Sequence, residues 1–409
     1  SNPSWFTPRR LLVVFCFINM LNSVDRGTIA SNGVNGRQES CSETGVCSPA
    51  RGIQGDFNLS NFEDGVISSA FLVGLLVSSP IFASLAKGVN PFRLIGIGLT
   101  IWTLSVAFCG LSFNFWSIAL CRMLVGIGEA SFASLAAPFI DDNAPISQRT
   151  AWLGLFYMCI PSGYAIGYIF GGLIGQFGWR WAFFVEALLM FPFAVLCFFT
   201  KPVALKGCFS SSTLTILVND IKIVLLDSVY LVNVLGSSLY TFVLGAYSYW
   251  GPKAGYSIYH MKNADYLFGG VTVVCGVLGT LGGAVVLDRI DSTIFNAFKV
   301  LSFSTFCGAI FCFSAFCFKS LYVFLALFAV GELLIFATQG PVNFVCLRCV
   351  RPSLRPLAMA IATVCIHVLG DVPSSPLVGL LQDHVNNWRE TSLITTSVLF
   401  ITAATWFIG

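Results

Sequence analysis

Charged residues are scarce in this sequence. Only 10% of its 409 residues are Asp, Glu, Lys or Arg, whereas a soluble globular domain carries roughly 25%. Hydrophobic residues make up 56% of the chain, and the net charge is only +3. No connection between the apolar runs carries a basic stripe with interleaved aromatics. The composition therefore excludes water as the main solvent of the folded chain and gives no sign of nucleic-acid binding.

Several sequence motifs of enzymes and pumps are also absent. The chain contains no H-E-x-x-H, no G-x-S-x-G and no G-x-x-x-x-G-K-[ST]. These patterns supply a zinc site, a serine nucleophile and a phosphate cradle, respectively. We therefore expect neither an intramembrane enzyme nor an ATP-driven pump, and no cofactor or metal. A receptor without transport activity stays open at this point.

Long apolar runs dominate the remaining sequence. A helix needs roughly 20 mostly apolar residues to cross a bilayer, because its backbone must satisfy its own hydrogen bonds there. The runs predict an all-α membrane protein with twelve transmembrane helices in two six-helix halves. The predicted spans are 9–30, 62–86, 92–111, 115–139, 150–173, 181–200, 229–250, 265–287, 296–318, 321–346, 357–381 and 391–408.

The connections between these spans differ in positive charge. Lys and Arg are concentrated in cytosolic loops of membrane proteins. Here they favour the side that holds Arg9 and Arg10 before the first span, and Arg351 and Arg355 before the eleventh. This distribution predicts that both termini lie in the cytosol.

Most of the 15 cysteines stand singly in apolar spans, where Cys behaves as a small hydrophobic residue. Cys41 and Cys47 differ, because they share the connection between the first two spans. The charge rule puts that connection on the non-cytosolic side, where disulfides can form. We predict a Cys41–Cys47 disulfide, with two free thiols as the alternative.

An internal repeat divides the chain. Gly128-Glu129 in the fourth span recurs as Gly331-Glu332 in the tenth, and Trp179-Arg180 recurs as Trp388-Arg389 at a similar offset. Such ordered matches indicate duplication of a six-helix unit. The predicted organisation is an N-terminal half at 1–200, a cytosolic linker at 201–228 and a C-terminal half at 229–409.

Two motifs resemble signatures of the major facilitator superfamily. Arg122 to Gly128 reads R-x-x-x-G-x-G, and Gly283 to Arg289 resembles the loop motif G-x-x-x-D-R. The first-half counterpart of the loop motif, Ala83 to Lys87, lacks the acid. The resemblance implies two parallel repeats with the substrate bound between them near the midplane. It also implies a gating role for Gly283, Asp288 and Arg289.

A closer resemblance is to the plant branch of the Spinster-like family of lipid transporters. It rests on Asn22 to Arg26, Arg122 to Ser131, Gly178 to Glu186, Tyr249 to Pro252 and Gly340-Pro341. The resemblance implies a monomeric secondary transporter of a sphingoid or lysophospholipid, coupled to protons, in late endosomal or lysosomal membrane. Plasma membrane is the alternative location. A carrier of a small polar metabolite or organic anion is the alternative function.

Buried ionisable groups are costly in a membrane and therefore mark candidate sites. Arg122 and Glu129 are two helical turns apart on one face, too far for direct contact. We expect Asp25 and Arg26 of the first span to bridge them. The predicted roles are proton coupling for Asp25 and Glu129, with Arg26 and Arg122 completing a charge network. A static network that only stabilises the N-terminal half is the alternative.

The remaining candidates are weaker and concern substrate binding. Tyr240 and Tyr247 share a face of the seventh span, Glu332 is the repeat mate of Glu129, and Glu186 is expected to cap its helix or pair with Arg180. His367 and Asp371 are four residues apart on one helix face, where they form either a second proton site or a packing pair. The predicted binding residues are Tyr240, Tyr247, Glu332, Gln339, Asn343, His367 and Asp371.

Overall fold

Helices form most of the chain that the computed structural model describes. The described residues are 7–41, 47–85, 89–145, 149–199, 214–261, 264–290, 293–351 and 354–409. They fall into two compact units, Ser1–Cys208 and Phe209–Gly409. Of the predicted linker, residues 201–213 lie outside the described residues, and Leu214–Leu226 is a helix.

The first unit contains eight described helices and a short hairpin. Six helices are long: α1, α4, α5, α6, α7 and α8. In chain order the elements are α1 Pro8–Ala30, α2 Asn32–Asn35, β1 Ser40–Cys41, β2 Cys47–Ser48, α3 Gly52–Asp56, α4 Asn61–Leu85, α5 Pro91–Leu111, α6 Phe115–Asn143, α7 Arg149–Ile174 and α8 Trp179–Phe199.

The second unit is helical throughout the residues described in it. A π-helical turn, His367–Asp371, joins two of its α-helices. The α-helices are α9 Leu214–Leu226, α10 Ser228–Tyr259, α11 Ala264–Arg289, α12 Ile294–Cys317, α13 Leu321–Phe336, α14 Gln339–Arg348, α15 Arg355–Ile366, α16 Val372–Val385 and α17 Trp388–Ile408.

Twelve stretches within the described residues are long and apolar enough to cross a membrane, which confirms the predicted fold class. The tenth span combines α13 and α14, and the eleventh runs from Leu357 to Val385 through the π turn. The seventh span is longer than predicted, because α10 continues to Tyr259 instead of ending near residue 250. Its Tyr249 and Trp250 are buried within the second unit.

The same helix pairing recurs in both units. In the first unit, α1 packs on α7, α4 on α6, and α5 on both α6 and α8. In the second unit, α10 packs on the π turn of the eleventh span, α11 on α13, and α12 on both α13 and α17. The first span of each unit thus pairs with the fifth, the second with the fourth, and the third with the fourth and sixth. This correspondence is what a duplicated six-helix unit requires.

Proline interrupts the tenth span, which the apolar pattern alone predicts as continuous. Pro341 lacks an N–H and its ring crowds the carbonyl four residues earlier, at Ala337. The helix breaks there, between α13 and α14. Gly283 of the predicted gating motif lies buried against the Ala337 carbonyl, while Asp288 and Arg289 are exposed at the end of α11. Of the first-half counterpart, residues 86–88 lie outside the described residues.

The hairpin in the connection between the first two spans pairs the two cysteines predicted to form a disulfide. Cys41 and Cys47 are direct partners in the antiparallel register of β1 and β2. Directly opposed residues of antiparallel strands lie about 4.5–5.5 Å apart at Cα. The side chains of both residues lie outside what the structure describes, so the disulfide itself stays a prediction.

Candidate functional site

Two neighbouring residues of α1 reach two residues of α6. Asp25 and Arg26 are about 100° apart around the helix axis, so their side chains leave in different directions. Arg122 and Glu129 are two turns apart on α6, roughly 10.5 Å along its axis. Asp25 pairs with Arg122, and Arg26 pairs with Glu129. The four predicted network residues are therefore brought together as two separate ion pairs.

The Asp25–Arg122 pair is fully buried. Nη1 of Arg122 donates to both carboxylate oxygens of Asp25, at 2.7 and 2.8 Å. The side chains are 0% and 1% exposed, respectively. Both charges have left water, so each depends on the other for compensation.

The Arg26–Glu129 pair is more accessible on its cationic side. Nη2 of Arg26 donates to Oε1 of Glu129, and the two side chains are 22% and 6% exposed. Glu129 Oε2 has no hydrogen-bond partner among the described residues. This oxygen is therefore open to a proton, and Arg26 is the cation that a ligand can approach.

A phenylalanine of α4 lies under both guanidinium groups. The ring centroid of Phe71 is 4.7 Å from Cζ of Arg26 and 5.4 Å from Cζ of Arg122. Gly126, between Arg122 and Glu129 on α6, permits this position: a Cβ there would lie 1.9 Å from the Phe71 carbonyl oxygen. The glycine thus lets α4 approach, and cation–π attraction then helps to hold both arginines. Sequence reasoning missed Phe71, because nothing in its own pattern distinguishes it from lipid-facing phenylalanine.

Glu186 of α8 does not pair with Arg180, so that expectation was wrong. Arg180 pairs with Asp56 at 2.8 Å near the surface. Glu186 is 2% exposed, and its carboxyl lies beside Asp25 and Thr28. Residues six apart on a helix point to different sides, since only three- and four-residue spacings make neighbours. That geometric rule was available from the sequence and argues against an Arg180–Glu186 pair.

Asn22 adds an unsatisfied amide to the same region. It lies about one turn before Asp25 and Arg26 on α1 and is 1% exposed. Neither its Nδ2 nor its Oδ1 has a partner in the part of the chain that the structure describes. Buried polar atoms are normally paired, and exceptions call for an explanation. The unpaired amide atoms of Asn22 beside two ion pairs favour a site whose side chains exchange hydrogen-bond partners. They argue against a wholly static network.

The second unit holds another polar group, around α10, α13 and α14. Nε2 of Gln339 donates to the Tyr240 hydroxyl at 2.9 Å, and the Tyr247 hydroxyl contacts Thr396 Oγ1 at 2.6 Å. Glu332 is 3% exposed and lies within electrostatic reach of both tyrosines. Three of the predicted binding residues, Tyr240, Gln339 and Glu332, are therefore close together, with Tyr247 beside them.

The other predicted binding residues are His367, Asp371 and Asn343. Nδ1 of His367 contacts Asp371 Oδ2 at 2.7 Å across the π turn. Such turns are rare and often mark functional positions. Asn343 is exposed on α14, one helical turn after Gln339.

The arrangement matches a known transporter family. The sequence pattern of the Major Facilitator Superfamily matches residues 40–371. The chain belongs to the Major Facilitator Superfamily. This membership confirms the predicted integral, multi-pass membrane transporter.

Within this superfamily, the relatives identify the Spinster-like group. "Probable sphingolipid transporter spinster homolog 2" of Arabidopsis thaliana is 67% identical over 426 residues, which cover 100% of this chain and 88% of that protein. "Probable sphingolipid transporter spinster homolog 3" of the same plant is 61% identical over 100% of this chain and 86% of that protein. The predicted Spinster-like plant branch is thereby confirmed.

A solved structure shares the fold. The crystal structure of a bacterial homolog to the human lysosomal transporter Spinster, inward-facing and unoccupied, matches with a TM-score of 0.81. The match covers 98% of this chain and 96% of that one at 16% identity. At this identity the likeness concerns the fold of a Major Facilitator Superfamily member alone.

Proposed function

We propose that this Spinster-like protein moves an amphipathic lipid of the sphingoid or lysophospholipid class by alternating access, coupled to protons. The observation that carries the lipid class is the 67% identity, over the whole chain, to a relative named as a probable sphingolipid transporter. The observation that carries proton coupling is the pair of buried carboxylates, Asp25 and Glu129, each bound to an arginine.

Protonation of Glu129 is the step that links proton coupling to lipid binding. A proton on the unpaired Oε2 removes the negative charge that holds Arg26. Arg26 is then free to bind an anionic headgroup. Hydrogen bonds between such charged groups are charge-assisted and therefore strong. Arg122 stays with Asp25 in this step, because its Nη1 donates to both oxygens of Asp25 and the pair is fully buried.

The polar group of the second unit offers uncharged partners for a headgroup. The Tyr240 and Tyr247 hydroxyls, the Gln339 amide and the Glu332 carboxyl can donate and accept hydrogen bonds. We assign them to polar recognition of the substrate, with His367–Asp371 as a second titratable pair. Location in late endosomal or lysosomal membrane and a monomeric state stay predictions.

Flux into proteoliposomes tests the substrate class. We expect a labelled sphingoid or lysophospholipid to enter faster than into empty liposomes, and Arg26→Gln to lower that flux by about 10-fold or more, the equivalent of one charge-assisted hydrogen bond. Arg9→Gln is the matched control, since Arg9 is exposed at the start of the same helix. Its flux should equal that of the wild type.

Two results would contradict the lipid assignment. One is lipid flux equal to that of empty liposomes. The other is saturable flux of a small organic anion that the lipids do not inhibit, which would favour the alternative carrier function. Both arms use the same preparation, with monodispersity checked for each variant.

A further inference from the structure

Buried acids and arginines of α1, α6 and α8 lie together in the first unit and form what we call the N-terminal cluster. They are unequal in number. Among the residues that the structure describes, three carboxyl groups are buried there, on Asp25, Glu129 and Glu186. Two guanidinium groups accompany them, on buried Arg122 and partly exposed Arg26. The two arginines are already engaged with Asp25 and Glu129. If all five groups were ionised, Glu186 would be a buried charge without a counter-ion of its own, because it would share Arg122 with Asp25. Such a charge is strongly unfavourable in a nonpolar interior.

The two side chains that lie beside the Glu186 carboxyl, Asp25 and Thr28, have no hydrogen to offer it. Both carboxyl oxygens of Asp25 already accept from Arg122. The Thr28 hydroxyl donates its one hydrogen to the Val24 carbonyl oxygen, at an O–O distance of 2.8 Å, and can otherwise only accept. Neither oxygen of Glu186 finds a partner by ordinary hydrogen-bond geometry within the described residues. A carboxylate would thus face two acceptors, whereas a protonated carboxyl would supply the hydrogen that both lack.

The other groups packed around α8 do not alter this balance. From α5, the buried side chain of Cys109 lies near Arg122 and Asp25. From α7, Tyr164 lies beside Arg26. The short helix α2, Asn32–Asn35, carries no titratable residue. On α8 itself, Arg180 is engaged by Asp56.

We infer that Glu186 holds a proton while the two ion pairs are intact, and that it passes this proton to Asp25 when Arg122 leaves Asp25. The O–H bond of Glu186 breaks as that of Asp25 forms, so the charge of the cluster is unchanged. The resulting Glu186 carboxylate is within electrostatic reach of Arg122, which can then compensate it. Two adjacent carboxyls that share one proton titrate as a unit. Glu186 is therefore the proton store of the cluster; its part in transport rests on the proton coupling proposed above.

Infrared spectroscopy reads the protonation state without any transport. The carbonyl stretch of a protonated carboxyl is separate from the bands of a carboxylate and shifts in D₂O. At neutral pH, we expect the wild-type spectrum to contain such a band that Glu186→Gln and Glu186→Met both lack. Glu390→Gln is the matched control, because Glu390 is exposed at the start of α17 and binds the Asn387 amide. It should leave the band intact.

A spectrum in which neither Glu186 variant loses intensity would overturn the protonated state. Two variants are used so that one misfolded sample does not decide the matter; glutamine keeps the shape of the neutral acid, and methionine keeps its volume.

Flux under a pH gradient tests the transport role of Glu186. We expect Glu186→Gln to reduce the gradient-driven increase in flux to less than about a tenth, the scale of a lost proton-transfer group. Gradient dependence equal to that of the wild type would overturn this role. If wild-type flux is the same with and without the gradient, the proposed coupling is overturned instead. The infrared band would still decide the protonation of Glu186.

Discussion

Replacing Arg122 with glutamine should cost about 3–5 kcal/mol of stability, as expected when a buried ion pair loses one partner. One buried negative charge would then be shared by Asp25 and Glu186, without the arginine that Asp25 binds in the wild type. Asp25→Asn should cost less, because Glu186 can ionise and partly compensate Arg122. The double variant Asp25→Asn/Arg122→Gln should regain most of the loss, since it leaves no charge unpaired. Unfolding in detergent measures all three.

Arg180→Gln is the matched control for this cycle. The N–O distance of the Arg180–Asp56 pair, 2.8 Å, is similar to that of the Asp25–Arg122 pair, but its side chains are 42% and 43% exposed. Exposed pairs contribute roughly 0–1 kcal/mol. If Arg122→Gln proved no more damaging than Arg180→Gln, the buried pair would not be the main electrostatic contact of the first unit.

Gly167→Ala should also destabilise the first unit, for a steric reason. A Cβ at Gly167 of α7 would lie 2.2 Å from the Val24 carbonyl oxygen and 2.8 Å from Gly27 Cα, both in the backbone of α1. Backbone atoms cannot rotate away, so the two helices must separate. Overpacking costs typically 1–3 kcal/mol and occasionally more. Because Val24 precedes Asp25, we also expect the separation to disturb both ion pairs and to reduce flux.

The control lies on the same helix. Gly154 has no heavy atom within 4 Å of an added Cβ, so Gly154→Ala should stabilise α7 by about 0.5–1 kcal/mol through backbone entropy. Melting temperature and monodisperse yield compare the two variants. Equal behaviour of Gly167→Ala and Gly154→Ala would contradict the close packing of α1 on α7.

The sequence predicts this fold well because membrane spans follow from local composition. Each span satisfies its own backbone, so a long apolar run is sufficient evidence for it. The break at Pro341 and the π turn at His367–Asp371 were missed because hydrophobicity averages over them. Proline chemistry, applied to Pro341 alone, would have found the first break.

The candidate site, too, was predictable only where local sequence determines it. That α1 meets α6 near Arg122 and Glu129 was expected from helical spacing and from the family resemblance. Which acid binds which arginine depends on how closely the helices cross, and Gly126 and Phe71 set that distance. Glu186 comes from a third helix whose rotation no local pattern fixes. Tertiary packing therefore decides the partners, whereas periodicity decides only the faces.

The measurement that tests the central claim most directly is lipid flux in proteoliposomes with and without a pH gradient, for the wild type and Glu129→Gln. Glu390→Gln, an exposed carboxyl in the second unit, is the control. We predict that wild type and control respond to the gradient, and that Glu129→Gln gives the same flux in both conditions. A Glu129→Gln flux that follows the gradient as the wild type does would contradict proton coupling through the Arg26–Glu129 pair.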